Sequence, residues 1–128
     1  MTSPKHPFNY PSNLDCNWVI VAGESLLILV RIHHFEMERN FDHLVVGNGE
    51  VVSAPSTIGS LTGNVKLRTI TSSQSAMWMS MTSDNTGSLA GFYFELEQIA
   101  STAVIGKSHV SRIGGPQQHH STNNFTVA

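Results

Sequence analysis

Ala76-Met77-Trp78-Met79-Ser80-Met81-Thr82 is the stretch that decides the fold. Met77, Met79 and Met81 share one side of a period of two, and Ala76, Trp78 and Ser80 share the other. A helical stripe would repeat every three to four residues, so this segment reads as a strand. Methionine at strictly alternating positions reads as core filler that adapts to irregular gaps; a greasy binding groove is the competing reading.

The same period recurs outward from this strand. Ser83 to Ser88 is a polar loop, and beyond it Phe92, Phe94 and Leu96 alternate with Tyr93 and Glu95 in a final strand. On the other side, Val65 to Ile70 reads as a strand with Val65, Leu67 and Thr69 on one face, and Val51 to Gly63 reads as loop. Phe41 to Val46 is a strand ended by the turn signal Gly47-Asn48-Gly49, and Glu36 to Asn40 is a charged loop. Leu26 to Ile32 is a β-branched and aliphatic run of strand length, preceded by a turn at Gly23-Glu24-Ser25 and a short strand from Asn17. Pro4, Pro7 and Pro11 forbid helix in the opening residues. Several short strands separated by turn signals predict an all-β, antiparallel β-sandwich. From Gln98 the texture changes: Ile99 to Ile105 is mildly apolar, and Gly114-Gly115-Pro116 and the polar Gln117 to Asn124 follow, so the expected division is a sandwich over residues 1–97 and a linker or disordered tail over residues 98–128.

Composition agrees. The 128 residues suffice for one domain, and only 12% are charged, about half of an ordinary globular share. A formal charge of -2 and seven scattered Lys and Arg make no case for nucleic acid. The run Leu26 to Val30, which no apolar run in the chain exceeds, falls far short of the roughly 20 residues a membrane-spanning helix needs, so no membrane insertion is expected from this segment. No basic segment followed by an apolar core opens the sequence, so no signal peptide is expected within it, and Cys16 is its one cysteine, either a small buried hydrophobe or half of a lost disulfide.

Several motifs then fall in one order. The opening Ser3-Pro4-Lys5-His6-Pro7-Phe8-Asn9-Tyr10-Pro11-Ser12-Asn13-Leu14-Asp15-Cys16-Asn17-Trp18 is followed by Phe35-Glu36-Met37-Glu38, then Phe41-Asp42-His43-Leu44 with Gly47-Asn48-Gly49. Ile58-Gly59-Ser60-Leu61-Thr62-Gly63, the alternating strand ending at Ser83-Asp84, and Gly91-Phe92 complete the series. Together, over roughly residues 3 to 97, they resemble the CUB domain, a jelly-roll β-sandwich. The resemblance implies an extracellular or secreted module that binds a protein or glycan and catalyses nothing. It implies two disulfides as well, one from the position of Cys16 to a cysteine upstream of Ser3 and one between the positions of Arg39 and Thr62, which hold no cysteine here. By that comparison the N-terminus looks truncated, and an edge strand is expected to be missing with it.

Many CUB domains are similar to one another in a calcium site of three acids, which carry over to Glu38, Asp42 and Asp84. Hard carboxylates on loop ends suit calcium, and carbonyls near Asn85 and Thr86 would complete the shell. Without a cation, three such carboxylates raise one another's pKa. In the family the metal-held acids grip a partner's Lys or Arg, so Phe41, His43 and Asn85 become candidate binding residues. The span from Glu38 to Asp42 is shorter than the family's usual loop. The alternative function is a metal-free, structural or degenerate sandwich serving as a spacer in a larger chain.

Other constellations are weaker. His33-His34 are strand neighbours expected on opposite faces, and His119-His120 lies in the tail. No Gly-x-Ser-x-Gly elbow or Cys-x-x-Cys pair exists. Arg112-Ile113-Gly114-Gly115 has the look of a protease activation junction without a protease domain after it. Asn124-Phe125-Thr126 fits a glycosylation sequon.

Overall fold

The alternating segment at residues 76–82 becomes the central strand of a sheet. The computed structural model describes residues 1–101 and 126–127. Among them are β1 (Asp15–Val21), β2 (Leu26–Glu36), β3 (His43–Asn48), β4 (Thr57–Leu61), β5 (Arg68–Thr71), β6 (Ala76–Thr82), β7 (Gly91–Ala100) and β8 (Thr126–Val127). One sheet has the order β4-β3-β6-β1-β8 and the other β5-β2-β7, with every pairing antiparallel. The fold is the predicted β-sandwich.

The inward faces meet in one core. Met77, Met79 and Met81 are fully buried, as the alternation predicts, and pack with Ile20, Leu44 and Val46 of their own sheet. The second sheet supplies Ile28, Val30, Ile32 and a ring stack of Phe35, Phe92 and Phe94, whose closest centroids lie 4.4 Å apart. Burying apolar area of this kind is the main favourable term in folding.

Trp78 points to the outer face of the five-stranded sheet and is nonetheless buried. The 3-10 turn Ala54–Ser56 lies beside it, and the indole Nε1–H donates to Ser56 Oγ at 2.9 Å. The ring lies over Gly47, where any Cβ would overlap it. Gly47 is therefore a strand residue whose missing side chain makes room for an indole, not part of the turn. The turn itself falls to Gly49, at φ +92°.

Other boundaries differ from expectation for local reasons. Strand β3 begins at His43, because Phe41 is held in a turn by the hydrogen bond its backbone N–H donates to the Glu38 carbonyl. Strand β4 lies inside the stretch expected to be loop; among the described residues it is an edge strand that pairs only with β3. The Val65-Leu67-Thr69 alternation is not a strand face: Leu67 has φ 42° and is 88% exposed, and β5 starts at Arg68. Strand β2 continues past Ile32 to Glu36. A bulge between Ile32 and His34 leaves both His33 and His34 exposed, so they do not take opposite faces.

Strand β7 runs past residue 97 to Ala100, pairing Ile99 with Leu27 and burying Gln98 and Ile99. Further along, Thr126 and Val127 pair with Val21 and Ile20 of β1. The span expected to be linker from residue 98 thus includes residues that belong to the sheets. His119-His120, Arg112 to Gly115, and Asn124 and Phe125 lie outside the described residues.

Candidate metal centre

Three segments converge at one end of the sandwich: the N-terminal entry, the turn from β2 to β3, and the loop from β6 to β7. Ser3 anchors the entry, donating its amide to the Phe92 carbonyl at 3.0 Å and accepting the Phe92 amide on Oγ at 2.9 Å. The chain then delivers Tyr10 into the core, where it is 1% exposed. The β2–β3 turn is closed by the amides of Phe41 and Asp42, both donating to the Glu38 carbonyl. The β6–β7 loop is tied down by the Asn13 amide on the Asp84 carbonyl at 2.7 Å and by Ser83 Oγ, which accepts the Leu14 amide at 2.9 Å.

These segments bring Glu38, Asp42 and Asp84 together. One carboxylate oxygen from each lies within 4.8 Å of the others. Two oxygens each about 2.4 Å from one ion are at most about 4.8 Å apart, so the cluster has the dimensions of a single coordination shell. The short span from Glu38 to Asp42 does not prevent this, because a single tight turn carries both.

Asp42 is completely buried. Its Oδ2 accepts the Tyr10 hydroxyl at 2.5 Å, and its Oδ1 accepts the Asp84 amide at 2.9 Å. The Tyr10 oxygen in turn accepts the Glu38 amide at 3.2 Å. Burial and then the Asp42 carboxylate push the Tyr10 pKa far up, so its hydroxyl remains a donor. Asp84 Oδ1 accepts the Thr86 amide at 3.2 Å. Glu38 is left with a problem: its Oε1 is shut off from solvent and has no hydrogen-bond partner. Gly87, at φ +84°, closes over this carboxylate so tightly that a Cβ there would overlap it. Neither ion pair found among the described residues, Arg31–Glu97 or His33–Glu95, involves the three acids.

The electrostatic cost shows on Glu38. Its pKa is raised above the ordinary 4.5, first by burial, then by the charges of Asp84 and Asp42 and a hydrogen bond with Asp84. The folded metal-free chain therefore holds this proton more tightly than the unfolded chain does. Its contribution is complete below the unfolded pKa near 4.5 and is lost as pH rises through the raised folded value. Thermal melts of metal-free protein from pH 4 to pH 8 should show this fall in stability, and Glu38→Gln should flatten it. Parallel curves for the two proteins would contradict the assignment.

Of the other candidates, Phe41 projects from the turn at 63% exposure. His43 opens β3, half-buried and paired with Thr82, and Asn85 is exposed in the β6–β7 loop. Sequence reasoning assigned no role to Tyr10, Thr62 or Gly87. Tyr10 lies within the opening motif, Thr62 stands where the resemblance implied a bridging cysteine, and nothing local marked Gly87. At the positions where a bridge was expected, Thr62 donates its hydroxyl to the Asp42 carbonyl at 2.7 Å, and the Arg39 guanidinium lies against Gly63. Cys16 is free and half-buried.

The model of the CUB domain matches residues 1–96. This chain belongs to the CUB domain family. Among related proteins, neuropilin-2 of Rattus norvegicus is 35% identical over 102 residues, covering 76% of this chain and 11% of that protein. The CUB chain thus spans a small part of that relative's length. Among solved structures, the full extracellular region of zebrafish Gpr126/Adgrg6 superposes with a TM-score of 0.68 at 27% identity, over 78% of this chain and 13% of that one. The MASP-1 CUB2 domain bound to Ca2+ superposes with a TM-score of 0.62 at 21% identity, over 75% of this chain and 88% of that one, a likeness of fold. No helix among the described residues of this CUB domain is long and apolar enough to cross a membrane.

Proposed function

We propose that this CUB domain is an extracellular recognition module in which Glu38, Asp42 and Asp84 hold a calcium ion and the ordered acids take a basic side chain of a partner protein. The observation that carries this reading is the sealed, partnerless Oε1 of Glu38 beside two further carboxylates. Burying an unpaired charge is costly, and a divalent cation is the ligand whose charge and oxygen preference remove that cost. A solved relative of the same fold bound to Ca2+ is in keeping with it.

In this reading calcium supplies positive charge and holds the three acids in place. The chain's own residues do the rest. Tyr10 satisfies one Asp42 oxygen and the Asp84 amide the other, which fixes the buried carboxylate. Exposed Phe41 packs on the aliphatic stem of the incoming Lys or Arg, while His43 and Asn85 flank it. The module binds and catalyses nothing. A glycan partner is the second reading of the same surface.

Millimolar calcium should raise the melting temperature of the wild-type chain by several degrees, since a ligand bound only to the native state stabilises by mass action. Asp42→Ala should abolish the rise. A wild-type melt unmoved by calcium would leave the metal-free spacer as the better account.

A further inference from the structure

Thr62 follows the last residue of β4, Leu61, and meets the β2–β3 turn through its hydroxyl. Its Oγ1 accepts the Asn40 amide at 2.9 Å and donates to the Asp42 carbonyl at 2.7 Å, with the Glu38 carbonyl further off at 3.2 Å. One hydroxyl proton serves one acceptor well, and the Glu38 carbonyl is already engaged by the Phe41 and Asp42 amides. Asn40 sits in the left-handed region at φ 68°, a conformation that asparagine tolerates better than most residues but that still needs support from its surroundings. The support is this bond. Thr62 is thus the side chain that ties the middle and the end of the Glu38–Asp42 turn to the neighbouring strand.

We infer that Thr62 is a positioning residue for the cation site: its hydroxyl sets the spacing of the two carboxylates that share the turn. The inference rests on the calcium reading above, and extends it to a residue that touches none of the acid side chains. Tyr10 holds Asp42 by its side chain from the core side. Thr62 holds it by its backbone from the strand side. Without the hydroxyl, the turn keeps its two internal bonds to the Glu38 carbonyl and the backbone pairings on either side, Met37 with Gly63 and Leu44 with Leu61, but the Asn40 amide and the Asp42 carbonyl lose their side-chain tether, and the backbone that carries the two acids is held less firmly between those pairings. Partners that orient ligands in this way typically matter by about ten- to a hundredfold in metal affinity.

The experiment is calcium titration calorimetry on the full chain, with amide hydrogen exchange at Asn40 measured in the absence of metal. Thr62→Val, which removes the hydroxyl at nearly constant volume, should weaken calcium by about tenfold or more and speed exchange at Asn40. Thr62→Ser should keep both within about threefold of wild type, well short of that range. Thr62→Ala, smaller than valine, stands in if the extra methyl prevents folding. Thr62→Val that binds calcium as wild type does, while Asp42→Ala does not bind, would overturn the role of Thr62 and leave the metal site standing. Wild-type protein that takes up no calcium would overturn the site, and this role with it.

Discussion

Gly47→Ala is expected to cost on the order of 3 kcal/mol, the upper part of the range for overpacked interiors. A single methyl at this position would overlap the Trp78 indole at three ring atoms. Gly47 lies near the end of β3, yet its backbone is held on both sides, paired with Thr57 of β4 and with Trp78 of β6, which limits its retreat. The indole must swing out instead. It would then lose its bond to Ser56 Oγ and the shelter of the 3-10 turn, exposing a large ring that is now buried. Urea denaturation of Gly47→Ala, Trp78→Ala and the double variant tests this. In the Trp78→Ala background the glycine substitution should cost little, so the two changes should be strongly non-additive. Additive losses would show that the indole is not what the missing side chain accommodates.

The second large effect is expected at Tyr10, which belongs to both the core and the acid cluster. Tyr10→Ala removes a fully buried ring and should cost about 3–5 kcal/mol, as truncation of large aromatics does. Tyr10→Phe is the more informative change. It keeps the ring and deletes only the oxygen, leaving Asp42 Oδ2 and the Glu38 amide without their partners. An unsatisfied buried polar group costs about 1–3 kcal/mol, more when it is charged. The loss should be largest in metal-free protein, and calcium should recover part of it. Melting curves with calcium and with chelator decide the matter. Tyr10→Phe melting like wild type under both conditions would mean that the hydroxyl carries no part of the site.

The strands that could be read from the chain were those whose side chains face a continuous core. Residues 76–82 alternate cleanly because β6 is paired on both edges and must present one apolar side inward. Strand β4 was hidden because an edge strand with one partner needs little pattern of its own, and Ile58 and Gly59 break what pattern there is. Val65, Leu67 and Thr69 misled in the opposite sense. Their spacing mimics a strand, yet Leu67 adopts a positive φ that no alternation count detects. The end of β7 was lost because Glu97 and Gln98 are polar yet buried, and polarity was taken for exposure.

The acid cluster was legible only through its motifs. Nothing local links Glu38 and Asp42 to Asp84, which the antiparallel pairing of β3 with β6 brings to the same end of the sheet. The residues that support the cluster left still less trace. Tyr10 reaches Asp42 across 32 positions, and the hydroxyl of Thr62 crosses 20 to reach the same residue's carbonyl. Neither contact follows from periodicity. Gly87 looks like an ordinary loop glycine until its nearness to the Glu38 carboxylate is seen.

Three thioethers stacked along the inward side of one strand have a chemical consequence. Oxidation turns methionine into a polar sulfoxide, which an apolar interior cannot accommodate. Met77, Met79 and Met81 are wholly shielded, so peroxide reaches them only when the two layers separate. Each such opening exposes the chain to a lesion that blocks reclosure. In an oxidising environment the lifetime of the molecule is then governed by how rarely its sheets part, and slow sulfoxide formation at these sulfurs counts those events.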